Sequence, residues 1–332
     1  MSGRVGAVVA APRIRWGGGP EKSTMSEPEP IIREASSAPS VVFRGTSRPP
    51  TMCRLLGIVA SELTEFGLGL TGAPRCLATL SREHPDGWGI AIHDATHAPK
   101  PGEPWALHKG TVPAGDDRRF HELAAQSRGH VLVAHVRQKT VGPTRLENTH
   151  PFVRDGWVFA HNGTIKATEV VRAGCSSKRL GEIVGDTDSE LFFAHLLTRL
   201  DERKLLRLDD EPARARATEA LDELTAQLRH AQVGAINFLL SDGKTTFAHR
   251  FGRSLFVLDR GPADPVRQKR EVGPGATIMT RWTSRRQAVL IASERITDEP
   301  WTEVPDATLL RIERTPSPRI VTGENADERV AS

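Results

Sequence analysis

Met52-Cys53-Arg54-Leu55-Leu56-Gly57-Ile58-Val59-Ala60 is the stretch on which the reading of this chain turns. A cysteine follows a methionine, and a β-branched and aliphatic run follows the cysteine, as in a buried strand. If Met52 is the initiator and is removed, Cys53 becomes residue one. Its thiol and its free α-amine then sit on one residue, a nucleophile with its own base. Upstream, residues 1–51 are rich in Gly, Pro, Ser and Glu and show no periodicity. Such a composition offers too little apolar surface to offset the entropy of ordering. We expect 1–52 to be a disordered leader or the product of a start codon placed too far upstream, 53–315 to be the folded domain, and 316–332 a flexible tail.

Composition narrows the class. The 332 residues carry a net charge of +4, and seven Lys/Arg against four Asp/Glu place +3 of it in residues 1–51. The pI of about 9.2 therefore reflects the leader, and the nearly neutral body is a poor footprint for nucleic acid. Cys53, Cys76 and Cys175 are the only cysteines. An odd count without a CxxC pair argues against a disulfide framework and a structural metal, and points to a cytoplasmic protein with reduced thiols. No apolar run approaches the ~18 residues a membrane span requires.

Beyond Cys53, strand-like runs dominate: Arg54–Ser61, Gly87–His93, Trp105–Lys109, His130–Arg137, Trp157–His161, Ala235–Ser241, Thr245–Arg250, Leu255–Leu258, Ala276–Thr280, Ala288–Ala292 and Thr308–Ile312. Helical spacing predicts helices over Asp116–Ser127, Thr187–Leu200 and Pro212–His230, the last with Ala217, Ala220, Leu221, Leu224 and Leu228 on one face. Many strands with few helices indicate an α+β domain of two stacked sheets covered by helices.

Several clusters bear chemistry, each with a plain alternative. His84-Pro85-Asp86-Gly87-Trp88-Gly89 reads first as a turn into a strand, or as backbone kept close to a ligand by its glycines. Arg137, ending an apolar strand, is a solvated terminus or a fork for a carboxylate. Glu147-Asn148-Thr149-His150-Pro151-Phe152 reads as a polar loop, and His150 receives no proton-transfer role. In His161-Asn162-Gly163, Asn-Gly is a common turn; alternatively, the Asn162 amide and the Gly163 N–H form an oxyanion hole. Asp186-Thr187-Asp188-Ser189-Glu190 supplies helix caps, or a carboxylate for a substrate ammonium. Trp282-Thr283-Ser284-Arg285-Arg286 reads as an exposed basic loop rather than a partner surface.

Taken in order, CRLLG (53–57), HPDGWG (84–89), HVRQKT (135–140), ENTHPF (147–152), HNGTI (161–165) and DTDSE (186–190) resemble the class II, N-terminal-nucleophile (Ntn) glutamine amidotransferases. Ala292-Ser293-Glu294 and Thr297-Asp298-Glu299-Pro300 resemble a free-standing subfamily that includes the amidohydrolase of ergothioneine biosynthesis. The resemblance spans roughly 53–313. It implies the four-layer αββα Ntn-hydrolase sandwich and catalysis by Cys53 through a γ-glutamyl thioester, with its α-amine as base. It further implies an oxyanion hole of Asn162 and Gly163, a carboxylate grip by Arg137 with Thr140, and an ammonium grip by Asp188. The substrate implied is glutamine, with a γ-glutamyl amide of a larger metabolite as the alternative. No metal and no cofactor are implied, and a synthase partner receiving ammonia is left open. A non-catalytic glutamine-binding or partner-binding module is the reading from a different class.

Overall fold

The computed structural model describes residues 53–93, 103–139, 142–261, 269–273, 276–279 and 286–321, with side chains omitted for 269–273 and 276–279. The expected leader, Thr140, residues 282–285 of the basic loop and residues 322–332 lie outside the described residues.

In chain order the elements are β1 (Arg54–Glu65), α1 (Leu77–Leu80), β2 (Trp88–His93), β3 (Trp105–Gly110), α2 (Arg118–Gln126), β4 (Arg128–Val136), β5 (Phe152–Arg154) and β6 (Trp157–Ile165). Then come α3 (Thr168–Ala173), α4 (Ser177–Gly181), α5 (Asp188–Glu202), α6 (Glu211–His230), β7 (Gly234–Ser241), β8 (Thr245–Arg250) and β9 (Phe256–Arg260). β10 (Lys269–Gly273), β11 (Ala276–Met279), β12 (Ala288–Ala292), β13 (Thr302–Glu303), β14 (Thr308–Glu313) and β15 (Arg319–Val321) complete the set. Among the described residues, one sheet runs β13-β9-β12-β1-β4-β2-β3 and the other β15-β14-β8-β7-β6-β5, while β10 and β11 form a separate hairpin.

Alternation along β1 shows how the layers arise. Leu55 and Val59 pack with Val131, Val133, Val158, Ala160, Leu239, Val289 and Ile312, residues of both sheets, so this apolar layer lies between them. Leu56, Ile58 and Ala60 face the other way, onto Leu77, Phe120 and Ala124 of α1 and α2. On the outer face of the second sheet, Phe159, Phe238 and Phe247 pack with Phe192, Phe193, Leu196 and Leu197 of α5 and with Leu221 and Leu224 of α6. Each side chain so buried contributes on the order of 1.5–3 kcal/mol. The result is helix, sheet, sheet, helix: the α+β four-layer sandwich the sequence implied.

The three long helices fall where the spacing predicts, each begun by a side-chain cap. Asp117 accepts from Arg119 N at 2.9 Å, Thr187 from Glu190 N at 3.2 Å, and Asp210 from Ala213 N at 2.8 Å. Asn162-Gly163 is not a turn. β6 continues to Ile165, paired in unbroken register with β7 from Val158↔Ser241 to Ile165↔Gly234. The reversal belongs instead to Asp155 and Gly156, whose φ of 49° and 80° fit a tight hairpin. Residues 319–321, expected within the flexible tail, form an edge strand on β14 because Ile320 finds Ile312 opposite and packs against the inter-sheet layer. Among the described residues, no helix is long and apolar enough to cross a membrane.

Candidate active site

Cys53 stands immediately before β1, which lies between β12 and β4. Arg54 pairs with Val136, so Cys53 faces the residues that follow β4. Gln138 N–H donates to Cys53 Sγ at 3.2 Å, and the thiol in turn donates to Gln138 O at 3.3 Å. Burial pushes the thiol pKa up, while the Gln138 contact and the charges of Arg137 and Arg54 pull against it. A resting thiol with a donor ready for the thiolate is the consequence.

The strand ends around Cys53 are tied together by backbone. Arg137 N donates to Gly87 O at 2.8 Å, Asp86 N to Arg137 O at 3.1 Å, and Lys139 N to the Asp86 carboxylate at 2.8 Å. HPDGWG thus forms a turn with Gly87 at φ +118°, and it braces the segment that holds Sγ. The glycines do keep backbone close, but to protein: a Cβ on Gly89 would lie 2.0 Å from His150 O.

Arg137 is 3% exposed. Its guanidinium donates to Pro143 O at 3.1 Å and to Gly142 O at 3.4 Å. Cys53, Asp86 and Asp188 all act on it electrostatically. Asn148, fully buried, donates to the same Pro143 O at 3.0 Å and accepts from Asp186 N at 2.8 Å. One side chain therefore sets both the loop that holds Arg137 and the entry to α5, where Asp188 stands.

Asn162 comes from the other sheet. Its Nδ2 donates to Ser293 Oγ at 3.1 Å, and that hydroxyl also accepts from Leu55 N at 3.0 Å. Ser293 N closes the bridge onto Leu55 O at 3.1 Å. The amide of Asn162 is thereby held two residues from Cys53 with its second N–H unspent. Ile165 N, at the same parity of β6 as Gly163, points off the edge of the pairing with β7 and donates to Asp188 Oδ2 at 2.6 Å. Gly163 turns its N–H to that same side. A Cβ at Gly163 would meet Ala235 O at 2.0 Å, which excludes every other residue type. Asp188 also accepts from Ser189 N at 3.0 Å, and its carboxylate keeps lone pairs for one more donor.

Cys53, Arg137, Asn162, Gly163 and Asp188 thus converge at one end of the two sheets; Thr140 lies outside the described residues. Behind them are buried imidazoles. Among the described residues both nitrogens of His150 lack a hydrogen-bond partner, while the Gln138 side chain lies beside His84 and the His161 backbone beside His135; burial, first among the causes, lowers the pKa of all three, to about 3 for His135. They are neutral at pH 7 and carry no charge into the site. Gln138, Ser293 and Asn148 were not assigned by sequence reasoning. Ser293 had a signal, the Ala-Ser-Glu that ends an apolar strand; a backbone donor such as Gln138 N–H has none. Among the described residues no group of His, Cys, Asp and Glu could hold a metal ion.

The chain can be compared with known proteins. Residues 52–329 match the family model described as class II glutamine amidotransferases. A Haemophilus influenzae protein assigned to the glutamine amidotransferases is 30% identical over 215 residues, covering 64% of this chain and 67% of that protein. The gamma-glutamyl-hercynylcysteine sulfoxide hydrolase of Mycobacterium tuberculosis is 25% identical over 273 residues, covering 79% and 93%. A 2.0 Å crystal structure of a predicted glutamine amidotransferase from Pseudomonas aeruginosa shares the fold, with a TM-score of 0.54 at 23% identity over 82% of this chain and all of that one.

Proposed function

The chain belongs to the class II glutamine amidotransferases, and from that premise we propose that Cys53 hydrolyses the side-chain amide of glutamine or of a γ-glutamyl compound through a thioester. The observation that carries this reading is the placement of Cys53 Sγ 3.2 Å from the Gln138 N–H, with Asn162 bridged to the same strand through Ser293. The free α-amine of Cys53 is the base, which requires that residues 1–52 be removed or never made. Such an amine titrates near ~7.7–8.0, so it exchanges protons readily around neutral pH.

The amine takes the thiol proton, and the thiolate attacks the amide carbon. The Asn162 amide and Gly163 N–H receive the oxyanion, each donor worth about 3–4 kcal/mol in the transition state. The C–N bond breaks as the α-ammonium returns its proton to the leaving nitrogen. Water, deprotonated by the same amine, then cleaves the thioester and restores the thiol. Arg137 binds the α-carboxylate, with Thr140 assisting, and Asp188 binds the α-ammonium. The mycobacterial relative, named for a γ-glutamyl hydrolase and matched over 93% of its length, favours γ-glutamyl amides beside glutamine. With glutamine as substrate, a synthase partner would receive the ammonia. A cytoplasmic location belongs to the same reading, supported by three unpaired thiols.

Chains with and without residues 1–52, their first residue verified by intact mass, test this by release of glutamate. The Cys53-first chain should be active, and Cys53→Ala should lower its kcat by at least about 10⁴-fold. Equal activity from a chain proven to retain residues 1–52 would rule out the α-amine as base.

A further inference from the structure

The segment joining β8 to β9 is built onto the site. Asn237 lies opposite Asn162 and is fully buried. It spends its whole amide on this segment: Oδ1 accepts from Phe251 N at 2.9 Å and Arg253 N at 3.2 Å, while Nδ2 donates to Arg253 O at 3.1 Å and Ser254 O at 3.2 Å. Ser254 Oγ donates to Ser293 O at 2.9 Å, reaching the residue that holds Asn162. Gly252, at φ +85°, lets the turn lie against Ala235, whose carbonyl also faces Gly163. Arg253 therefore projects from a rigid shelf fixed to both oxyanion residues.

Among the described residues its guanidinium has no carboxylate partner: Nε is buried with no acceptor, and Nη1 donates only to Gly252 O, at 3.5 Å. Neighbouring Arg250, Arg260 and Arg311 each have a carboxylate within 2.7 Å. The charge of Arg253 is felt at His161, the residue before Asn162. A buried donor without a partner costs about 1–3 kcal/mol, so a fixed one beside a reaction centre marks a place for a ligand.

We infer that Arg253 binds a carboxylate on the leaving-amine half of the substrate, which makes the substrate class γ-glutamyl conjugates of amino acids rather than free glutamine. The side of β6 decides which half it reads. Asp188 approaches β6 from the edge opposite β7, and Arg253 from the β7–β8 side. The two charges of the glutamyl half are answered by Arg137 and Asp188, and the carbonyl oxygen by Asn162 and Gly163. The nitrogen substituent is left to extend toward Arg253. An arginine–carboxylate pair is directional and strong, so it discriminates well against a neutral group of equal size. Arg253 has this task only if Cys53 hydrolyses γ-glutamyl amides, so it rests on the function proposed above.

The test compares γ-glutamylglycine with γ-glutamylethylamide, which replaces the carboxylate by a methyl group, using the Cys53-first chain and glutamine as a third substrate. The wild type should favour γ-glutamylglycine in kcat/KM by about 10- to 100-fold. Arg253→Gln should bring that ratio to within about threefold of one, the loss falling on KM, and Arg253→Lys should recover part of it. Equal kcat/KM for the two amides in the wild type overturns the role of Arg253 and leaves the hydrolase reading standing. So does a preference that survives Arg253→Gln, or an equal loss with all three substrates. Failure of the wild type to hydrolyse any of the three overturns the proposed function and the role of Arg253 with it.

Discussion

Two polar clusters, one on the second sheet's helices and one around the candidate site, behave in opposite ways. Around Arg179, which is fully buried, Nε donates to Asp201 at 2.6 Å and Nη1 to Glu182 at 2.9 Å, while Asp155 lies at 2.8 Å. Burial alone would lower its pKa, but the three carboxylates outweigh burial and raise it. Only Nη2 is left over, and the guanidinium ties α4, α5 and the β5–β6 turn. Around the candidate site, by contrast, both nitrogens of His150 and the Nε of Arg253 are buried without a hydrogen-bond partner among the described residues. A polar group matched within the chain is committed to stability; one left unmatched remains open to water or substrate. The first cluster ties helices to a turn; the second belongs to the candidate site.

Substitution in each cluster should therefore move a different observable. The largest effect is expected from Asn162→Ala, which should lower kcat by about 10²–10³-fold while changing the unfolding free energy by no more than about 1 kcal/mol. Paired steady-state and denaturant measurements check it, and a stability loss without a kinetic one would erase the contrast. Next is Arg179→Met, which removes the buried partner of three partly exposed carboxylates. Because water screens the carboxylates left behind, it should cost about 1–2 kcal/mol of stability, with kcat per folded molecule unchanged. A fall in kcat at full folding would mean that α4 and α5 transmit to the site.

The smallest effect sharpens the comparison through pH. His249 Nδ1–H donates to Ile236 O at 2.7 Å, and Arg229 Nη1 donates to Nε2 at 3.3 Å, so the folded ring has no place for a second proton. Burial, the leading cause, lowers its pKa from 6.5 to about 4. The unfolded chain binds that proton first. Its contribution to stability is whole above about pH 6.5 and declines as pH falls toward 4, by about 1 kcal/mol per pH unit. Urea unfolding at pH 7.5, 5.5 and 4.5 should show this slope, and His249→Gln should flatten it. A slope unchanged in the variant would assign the acid loss to other groups, such as His195.

Sequence made much of this legible for a local reason. The strands announce themselves by runs such as Leu55–Ala60 and Val131–Val136, and the long helices by apolar spacing, with capping residues visible around Thr187. The candidate site residues follow one another along the chain in a recognisable order, so their types could be read. What stayed hidden depends on partners distant in sequence. Asn162-Gly163 looks like a turn until β7 pairs with it. Phe152–Arg154 and Arg319–Val321 are too short to show alternation. Asn148, Asn237 and Ser293 acquire meaning only through the carbonyls and amides that surround them, and those belong to every residue alike.

Position within the first sheet has a practical side. β1 is laddered on both flanks, to β12 and β4, so the residue just before it sits beside the middle of a sheet rather than on a fraying margin. On the mechanism proposed above, an affinity handle fused ahead of Cys53 would block the α-amine and would have to be cut to the residue before turnover could be measured. A handle placed beyond β15, an edge strand on the other sheet, imposes no such condition.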